Sequence, residues 1–331
     1  MSPKYSDNRE PDSQMKIFLI VGGLLLGYSL MPVRAIAATF SQIVVYGDSL
    51  SDVGNAAAKG AIAPYKSQGR FSNGKLWIEY LADRLGIGID RRQIFAEGGA
   101  TTGTTNVGQD YIPNLQGISQ QVKNNPISDP KALYVIWGGA NDYLRATPAS
   151  IPDPKVTLAN LNREMGILIA RGAKNILVVN LPNLGTLPST RNQPAASQLN
   201  LLTQAHNAGL AASIDTLRQT NSGVKLILVD VNTAFSQAIS DPRGYGFDNV
   251  TDGCFSVGCK TPNTYLFWDS IHPTTAGHKI VGDLAFQAVS VPTVPPPTRL
   301  TVWLSILGSS IAFKRKLQPA DLKENELIET N

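Results

Sequence analysis

Two side chains in this sequence have the chemistry of a nucleophile and its base. Ser49 stands in Gly47-Asp48-Ser49-Leu50-Ser51-Asp52, directly after the apolar, β-rich run 42–46 (QIVVY). A glycine there lets the chain turn sharply off a strand. The serine hydroxyl is then left at the strand end, beside main-chain N–H groups able to hold an oxyanion. Taken alone, such a serine is more commonly a helix N-cap than a nucleophile. A nucleophilic serine needs a base, and imidazole is the side chain suited to taking a proton near neutrality. His272 lies in Phe267-Trp268-Asp269-Ser270-Ile271-His272-Pro273, with Asp269 three residues ahead. A tight turn would let that carboxylate orient the ring through Nδ1. Pro273 disfavours the α conformation at His272 and suits the start of a helix. His206 and His278 fall inside helical patterns without a nearby acid and read as core or solvated histidines.

Two glycine-bearing segments complete the set. Gly98-Gly99-Ala100 offers backbone free of Cβ obstruction, suited to donating an N–H to an oxyanion. Gly139-Ala140-Asn141-Asp142 follows the run 132–137 (ALYVIW), so the Asn141 amide lands on the same edge as Ser49. Each has an ordinary turn reading by itself. The G-x-S-x-G elbow is absent, because no glycine stands two residues after Ser49. Two cysteines, three scattered histidines and no H-E-x-x-H leave no zinc site, and the chemistry calls for no metal or cofactor.

Short apolar runs alternating with helical patterns must position these residues. Runs 42–46, 132–137, 175–180 (NILVVN) and 225–231 (KLILVDV) are continuous and β-rich, as strands buried on both faces are. Residues 93–96 are a weaker fifth candidate. Segments 76–85, 153–170, 194–219 and 274–289 carry helical spacing between them. Such alternation predicts an α/β fold, a three-layer α/β/α sandwich around a parallel sheet of about five strands. In that architecture ligands bind beyond the carboxyl ends of the strands, where the motifs sit.

Composition removes other classes. Of 331 residues, 43% are hydrophobic and 16% charged, enough to bury a core and too little charge for a coiled coil. The net charge of +4 is not gathered into a long basic run in the body of the chain, which argues against a nucleic-acid partner.

Both ends read as addresses. Met15-Lys16 precedes the apolar run 17–30 and the small-x-small triplet Ala35-Ile36-Ala37, the pattern of a cleaved signal peptide, with an uncleaved anchor as the alternative. Export would place Cys254 and Cys259 where a disulfide persists; two buried thiols are the alternative. A proline-rich linker (291–297) leads to the apolar segment 298–313 and the basic cluster Lys314-Arg315-Lys316. As a helix, 298–313 would reach about 24 Å, short of a ~30 Å hydrocarbon core. This tail resembles the bacterial PEP-CTERM sorting tail, although its proline motif has no glutamate and fifteen residues follow the basic cluster. It would give a transient membrane contact; the alternative is a last core helix. The folded body is thus expected over 38–291, flanked by a leader (1–37) and a sorting or anchoring tail (292–331).

In order, GDSLSD, GGAT, GAND and DSIHP resemble blocks I, II, III and V of the GDSL esterase/lipase family of SGNH hydrolases. GRFSNGKLW (69–77) and FWDSIHPT are similar to stretches of its lipase-like branch. The resemblance implies an SGNH, flavodoxin-like sandwich and a secreted or envelope-held hydrolase of acyl esters. It implies Ser49 as nucleophile, His272 as base and Asp269 as its orienting partner. Ser49, Gly99 and Asn141 would form the oxyanion hole. One departure is Ile94, where many relatives carry asparagine. A polysaccharide O-acetylesterase and a surface binding protein on the same fold are the competing readings; the intact Ser49, Asp269 and His272 argue against the second. Acyl preference is expected to depend on loops around Tyr143, Phe247 and Phe255.

Overall fold

The computed structural model describes residues 40–61, 69–144 and 151–290. The expected leader, the proline-rich linker and the apolar tail lie outside the described residues.

The elements run in the order β1 (Ile43–Gly47), α1 (Asn55–Ala58), α2 (Trp77–Leu85), α3 (Ile118–Asn124), β2 (Leu133–Trp137), α4 (Ala140–Tyr143), α5 (Pro154–Ala170) and β3 (Asn175–Val179). They continue with α6 (Ala196–Thr220), β4 (Lys225–Val229), α7 (Val231–Ser240), β5 (Asn249–Gly253), α8 (Cys254–Val257), β6 (Tyr265–Phe267) and α9 (Thr275–Ser290). Strands β1 to β4 form one parallel sheet in that spatial order, with Val45 opposite Val135 and Leu177 opposite Ile227.

Side chains alternate between two cores, as the period of two in a strand requires. Val45, Val135, Leu177 and Val229 face α2, α7 and α9 through Trp77, Phe235 and Val281. Val44, Tyr46, Ile136 and Val178 face α3, α5 and α6 through Val122, Met165 and Ile214. Both faces of every main-sheet strand are therefore covered. Local signals start the long helices: Pro154 occupies the first turn of α5, and Asp153 accepts the Lys155 N–H at 2.9 Å.

Two expectations about strands change, and one further sheet is present. The main sheet has four strands, and the 93–96 candidate makes only a single bridge, Ile94 to Val45. The Phe95 N–H donates to the Val45 carbonyl at 2.8 Å, so the segment lies along β1 without lengthening into a strand. The run 225–231 stops at Val229, because Asp230 accepts the Thr233 N–H at 3.1 Å and starts α7. A second, two-stranded parallel sheet, β5 with β6, carries the approach to His272. Its short strands have too little periodicity to stand out in the sequence.

Chain order creates the functional edge. From β1 the chain goes first to the Ile94 bridge and then returns to pair β2 with β1. This reversal opens a crevice at the carboxyl end of β1.

Candidate active site

The turn after β1 is held from three sides. Gln121 of α3 grips Gly47 twice: its Oε1 accepts the Gly47 N–H and its Nε2 donates to the Gly47 carbonyl, both at 2.9 Å. A Cβ at Gly47 would lie 2.7 Å from the Trp137 carbonyl oxygen, so the approach of β1 to β2 requires glycine. Asp48 Oδ1 accepts the Leu50 N–H at 3.0 Å, and Trp77 Nε1 donates to Ser51 Oγ at 3.0 Å. Ser49 is left between these anchors, 8% exposed. Burial pushes the Asp48 carboxyl up to about 7, partly offset by the Leu50 N–H and by His272.

A compact turn delivers the histidine. The Trp268 N–H donates to the His272 carbonyl at 2.8 Å, closing the loop around Asp269. Asp269 Oδ1 accepts the N–H groups of Ile271 and His272 at 2.8 and 2.7 Å, while Oδ2 lies 2.7 Å from His272 Nδ1. An ionised carboxylate only accepts, so Nδ1 carries the proton and Nε2 presents its lone pair. Nε2 is 2.8 Å from Ser49 Oγ, across 223 residues of sequence. The GRFSNGK segment braces this turn: Phe71 tilts against the His272 ring, Ser72 Oγ donates to the Pro273 carbonyl, and Asn73 Oδ1 accepts the first N–H of α9.

The GGAT loop approaches from the third side. Gly99 has φ +82°, and a Cβ there would lie 2.6 Å from Asn106 Oδ1. Asn106 also donates to the Gly98 carbonyl at 2.9 Å. Among the described residues, the main-chain N–H groups of Ser49 and Gly99 have no acceptor. Asn141 lines the same pocket as Ser49 and His272, and its Nδ2 donates one bond to the Ala100 carbonyl at 3.0 Å. The amide carries a second hydrogen. Ile94, the departure from the family pattern, is a core residue whose carbonyl accepts from Asn55 Nδ2 at 2.6 Å.

Sequence reasoning missed three supporting residues. Asp52 is fully buried and accepts four main-chain N–H groups, those of Gly54, Asn55, Ala56 and Gly98, at 2.5–3.1 Å. It thus ties the serine turn to the GGAT loop. Asp142 accepts both the N–H and the hydroxyl of Thr102, at 3.0 and 2.7 Å, fixing the far end of that loop. Both acids stand inside the GDSLSD and GAND motifs, which was the available signal. Gln121 had none, since its partner lies 74 residues away.

The remaining candidates fall elsewhere. His206 and His278 are fully buried, and burial pushes their imidazoles down to about 4 and about 3. His206 Nδ1 meets the Tyr143 hydroxyl at 3.0 Å. Cys254 and Cys259 form a disulfide. Among the described residues no His, Cys, Asp and Glu side chains cluster to hold a metal. Of the loops expected to govern acyl preference, the one around Tyr143 lines the pocket through Ala140, Asn141 and Leu144, although Tyr143 itself is a core residue; Phe247 is also in the core, and half-exposed Phe255 packs at a tilt against Trp268. The rest of its apolar wall comes from Leu50, Trp137, Leu184, Leu187, Phe235 and Phe267.

The model of the GDSL-like Lipase/Acylhydrolase family matches residues 43–285, spanning every element from β1 into α9. The chain belongs to that family. It is accordingly a carboxylic ester hydrolase. A phosphatidylcholine-sterol acyltransferase of Aeromonas hydrophila is 31% identical over 243 residues, 70% of this chain and 71% of the relative. A GDSL esterase/lipase of Arabidopsis thaliana is 25% identical over 314 residues, with 73% and 78% covered. Among solved structures, a lipolytic G-D-S-L family protein of Veillonella parvula matches with a TM-score of 0.44 at 15% identity, over 74% of this chain and 96% of that one.

Proposed function

We propose that this GDSL hydrolase is a serine esterase working through an acyl-serine intermediate. The observation that carries the reading is the unbroken line of hydrogen bonds from Asp269 through His272 to Ser49 in the wall of a pocket. His272 Nε2 takes the Ser49 proton as Oγ attacks the ester carbonyl. The N–H groups of Ser49 and Gly99 and the Asn141 amide receive the developing oxyanion. Collapse of the tetrahedral species breaks the carbon–oxygen bond, and the alcohol leaves with the proton from His272. Water, deprotonated by the same ring, then releases the acid and restores Ser49.

Trapping tests this directly. Incubation with p-nitrophenyl esters gives hydrolysis, and a fluorophosphonate probe adds its phosphonyl mass to the peptide bearing Ser49. Labelling of any other residue, with Ser49 free, would refute the assignment.

The sequence supports a body working outside the cytoplasm, exported by the leader at 17–37 and held or sorted by the tail at 298–316. Among the described residues no helix is long and apolar enough to cross a membrane. Truncation after Val291 leaves hydrolysis intact and moves activity from the envelope fraction to the medium. Cytoplasmic activity from the full chain would count against export.

A further inference from the structure

Two compartments adjoin at Asn141, Leu144 and Ile271, the inner one containing Ser49, and they differ in kind. The inner one has a cavity volume of about 30 Å³, with Asp48, Ser49, Asn141 and His272 on one side and an apolar wall of Trp137, Leu184, Leu187, Phe235 and Phe267 on the other. That is room for about two water-sized spheres. The outer one is a groove of about 520 Å³, lined by Val107, Ser189, Thr190, Gln193 and Pro194 among others. Asn141, Leu144 and Ile271 belong to both, so one bound molecule can reach across from one to the other.

Ser189 gives the groove its chemistry. Its main-chain N–H donates to the Ser270 carbonyl at 2.9 Å, which pins it beside the turn carrying Asp269 and His272. Its hydroxyl oxygen is buried and has no hydrogen-bond partner among the described residues. Buried hydroxyls without partners are rare, and this one lies just under the wall of the groove, where rotation of its side chain would present it to a ligand. Thr190, by contrast, already donates its hydroxyl to the Leu184 carbonyl.

We infer that the groove is the alcohol subsite, taking a hydroxyl-bearing alcohol through Ser189, and that the inner pocket admits only a short acyl group. This rests on the esterase reading above. The carbonyl carbon must sit at Ser49 Oγ with its oxygen towards Gly99 and Asn141, which leaves two directions for the two halves of the ester. A hydroxyl against the apolar wall of the inner pocket would lose its hydrogen bonds, whereas an alkyl group gains by burial there. A long chain would exceed the pocket's volume. The substrate class is therefore a short-chain acyl ester of a polyol or sugar-like alcohol.

Two series on the full chain test the division. Across p-nitrophenyl acetate, butyrate, octanoate and palmitate, kcat/KM is greatest at acetate or butyrate and falls at least ~10-fold by octanoate. Leu187→Ala, which deepens the inner pocket, shifts the optimum towards longer chains. For the alcohol side, kcat/KM for glycerol monoacetate is divided by that for p-nitrophenyl acetate. This ratio falls ~3- to 10-fold in Ser189→Ala, carried by KM, and recovers in Ser189→Thr, as expected for one hydrogen bond. A wild-type preference for octanoate or palmitate overturns the acyl assignment, and an unmoved ratio in Ser189→Ala overturns the alcohol assignment. If no ester is turned over, or Ser49→Ala is as active as wild type, the esterase reading itself fails and takes this inference with it.

Discussion

Asp269 holds His272 at two points: one carboxylate oxygen meets ring Nδ1 at 2.7 Å and the other accepts the main-chain N–H of the same residue at 2.7 Å. Ring and backbone are thus fixed by one side chain, which sets the direction of Nε2. Asp269→Asn keeps an oxygen for the backbone bonds and loses the anionic acceptor that selects the productive tautomer. We expect kcat to fall ~10³- to 10⁴-fold with little change in melting temperature, measured by ester hydrolysis and calorimetry. A loss below tenfold would show that another group orients the ring.

Ser49→Ala removes the nucleophile and one hydrogen bond to His272. Turnover of p-nitrophenyl acetate should drop by more than ~10⁴-fold, with the fold unchanged by circular dichroism. Residual activity within tenfold of wild type would rule out Ser49 as the attacking group.

The three histidines separate by environment. His272 Nε2 is the ring nitrogen that faces Ser49 Oγ. Burial holds His206 and His278 neutral down to about 4 and about 3, inside the core. Variants of either that remain folded keep ester hydrolysis, and His272→Ala loses it. A folded His206 or His278 variant that loses hydrolysis while His272→Ala keeps it would reassign the base.

His278 should make folding sensitive to acid. Its imidazole is held at about 3 when folded and titrates near 6.5 when exposed, so between those values the unfolded chain binds the extra proton. Its contribution is fully present above about pH 6.5 and is lost as pH falls towards 3. Both ring nitrogens are buried without hydrogen-bond partners among the described residues, so an apolar side chain loses no bond there. His278→Leu is expected to narrow the gap in unfolding free energy between pH 7.5 and pH 5, measured by urea titration. An unchanged gap would mean that the site opens to water.

Asp52 joins two loops through four main-chain N–H groups, two of them, from Gly54 and Asn55, bound to the same Oδ1 oxygen. Asp52→Ala leaves these donors without their acceptor beside the GGAT loop. Stability should fall by roughly 3 kcal/mol or more in urea unfolding, with kcat reduced in whatever remains folded. A change under about 0.5 kcal/mol would show that water replaces the carboxylate.

The disulfide closes a loop of six residues next to the catalytic turn, where the Phe255 N–H donates to the Trp268 carbonyl at 2.7 Å. Replacing Cys254 and Cys259 with serine should lower stability by about 2 kcal/mol from loop closure alone. Calorimetry of the double variant measures it, and no loss would mean the main-chain contacts suffice.

Ser49, Asp269 and His272 were legible in the sequence because their signals are local. A glycine turn follows an apolar run, and an acid stands three residues before a histidine that precedes proline. The four main strands were legible for a related reason: burial on both faces writes a continuous apolar run into five adjacent residues, whatever lies around it. Distances along the chain hid the rest. Gln121 reaches Gly47 across 74 residues, and Asp142 meets Thr102 across 40. Such contacts leave no periodicity, because each partner answers to a neighbour that only folding supplies. The pocket shows the same limit. Tyr143 and Phe247 turned inward to the core, while Leu184, Leu187 and Phe235, indistinguishable in sequence from other apolar residues, became its wall. Residue type and spacing determined which groups could react. Close packing of loops from distant parts of the chain decided what space stands before them, since a cavity is a property of what surrounds it and of no single segment.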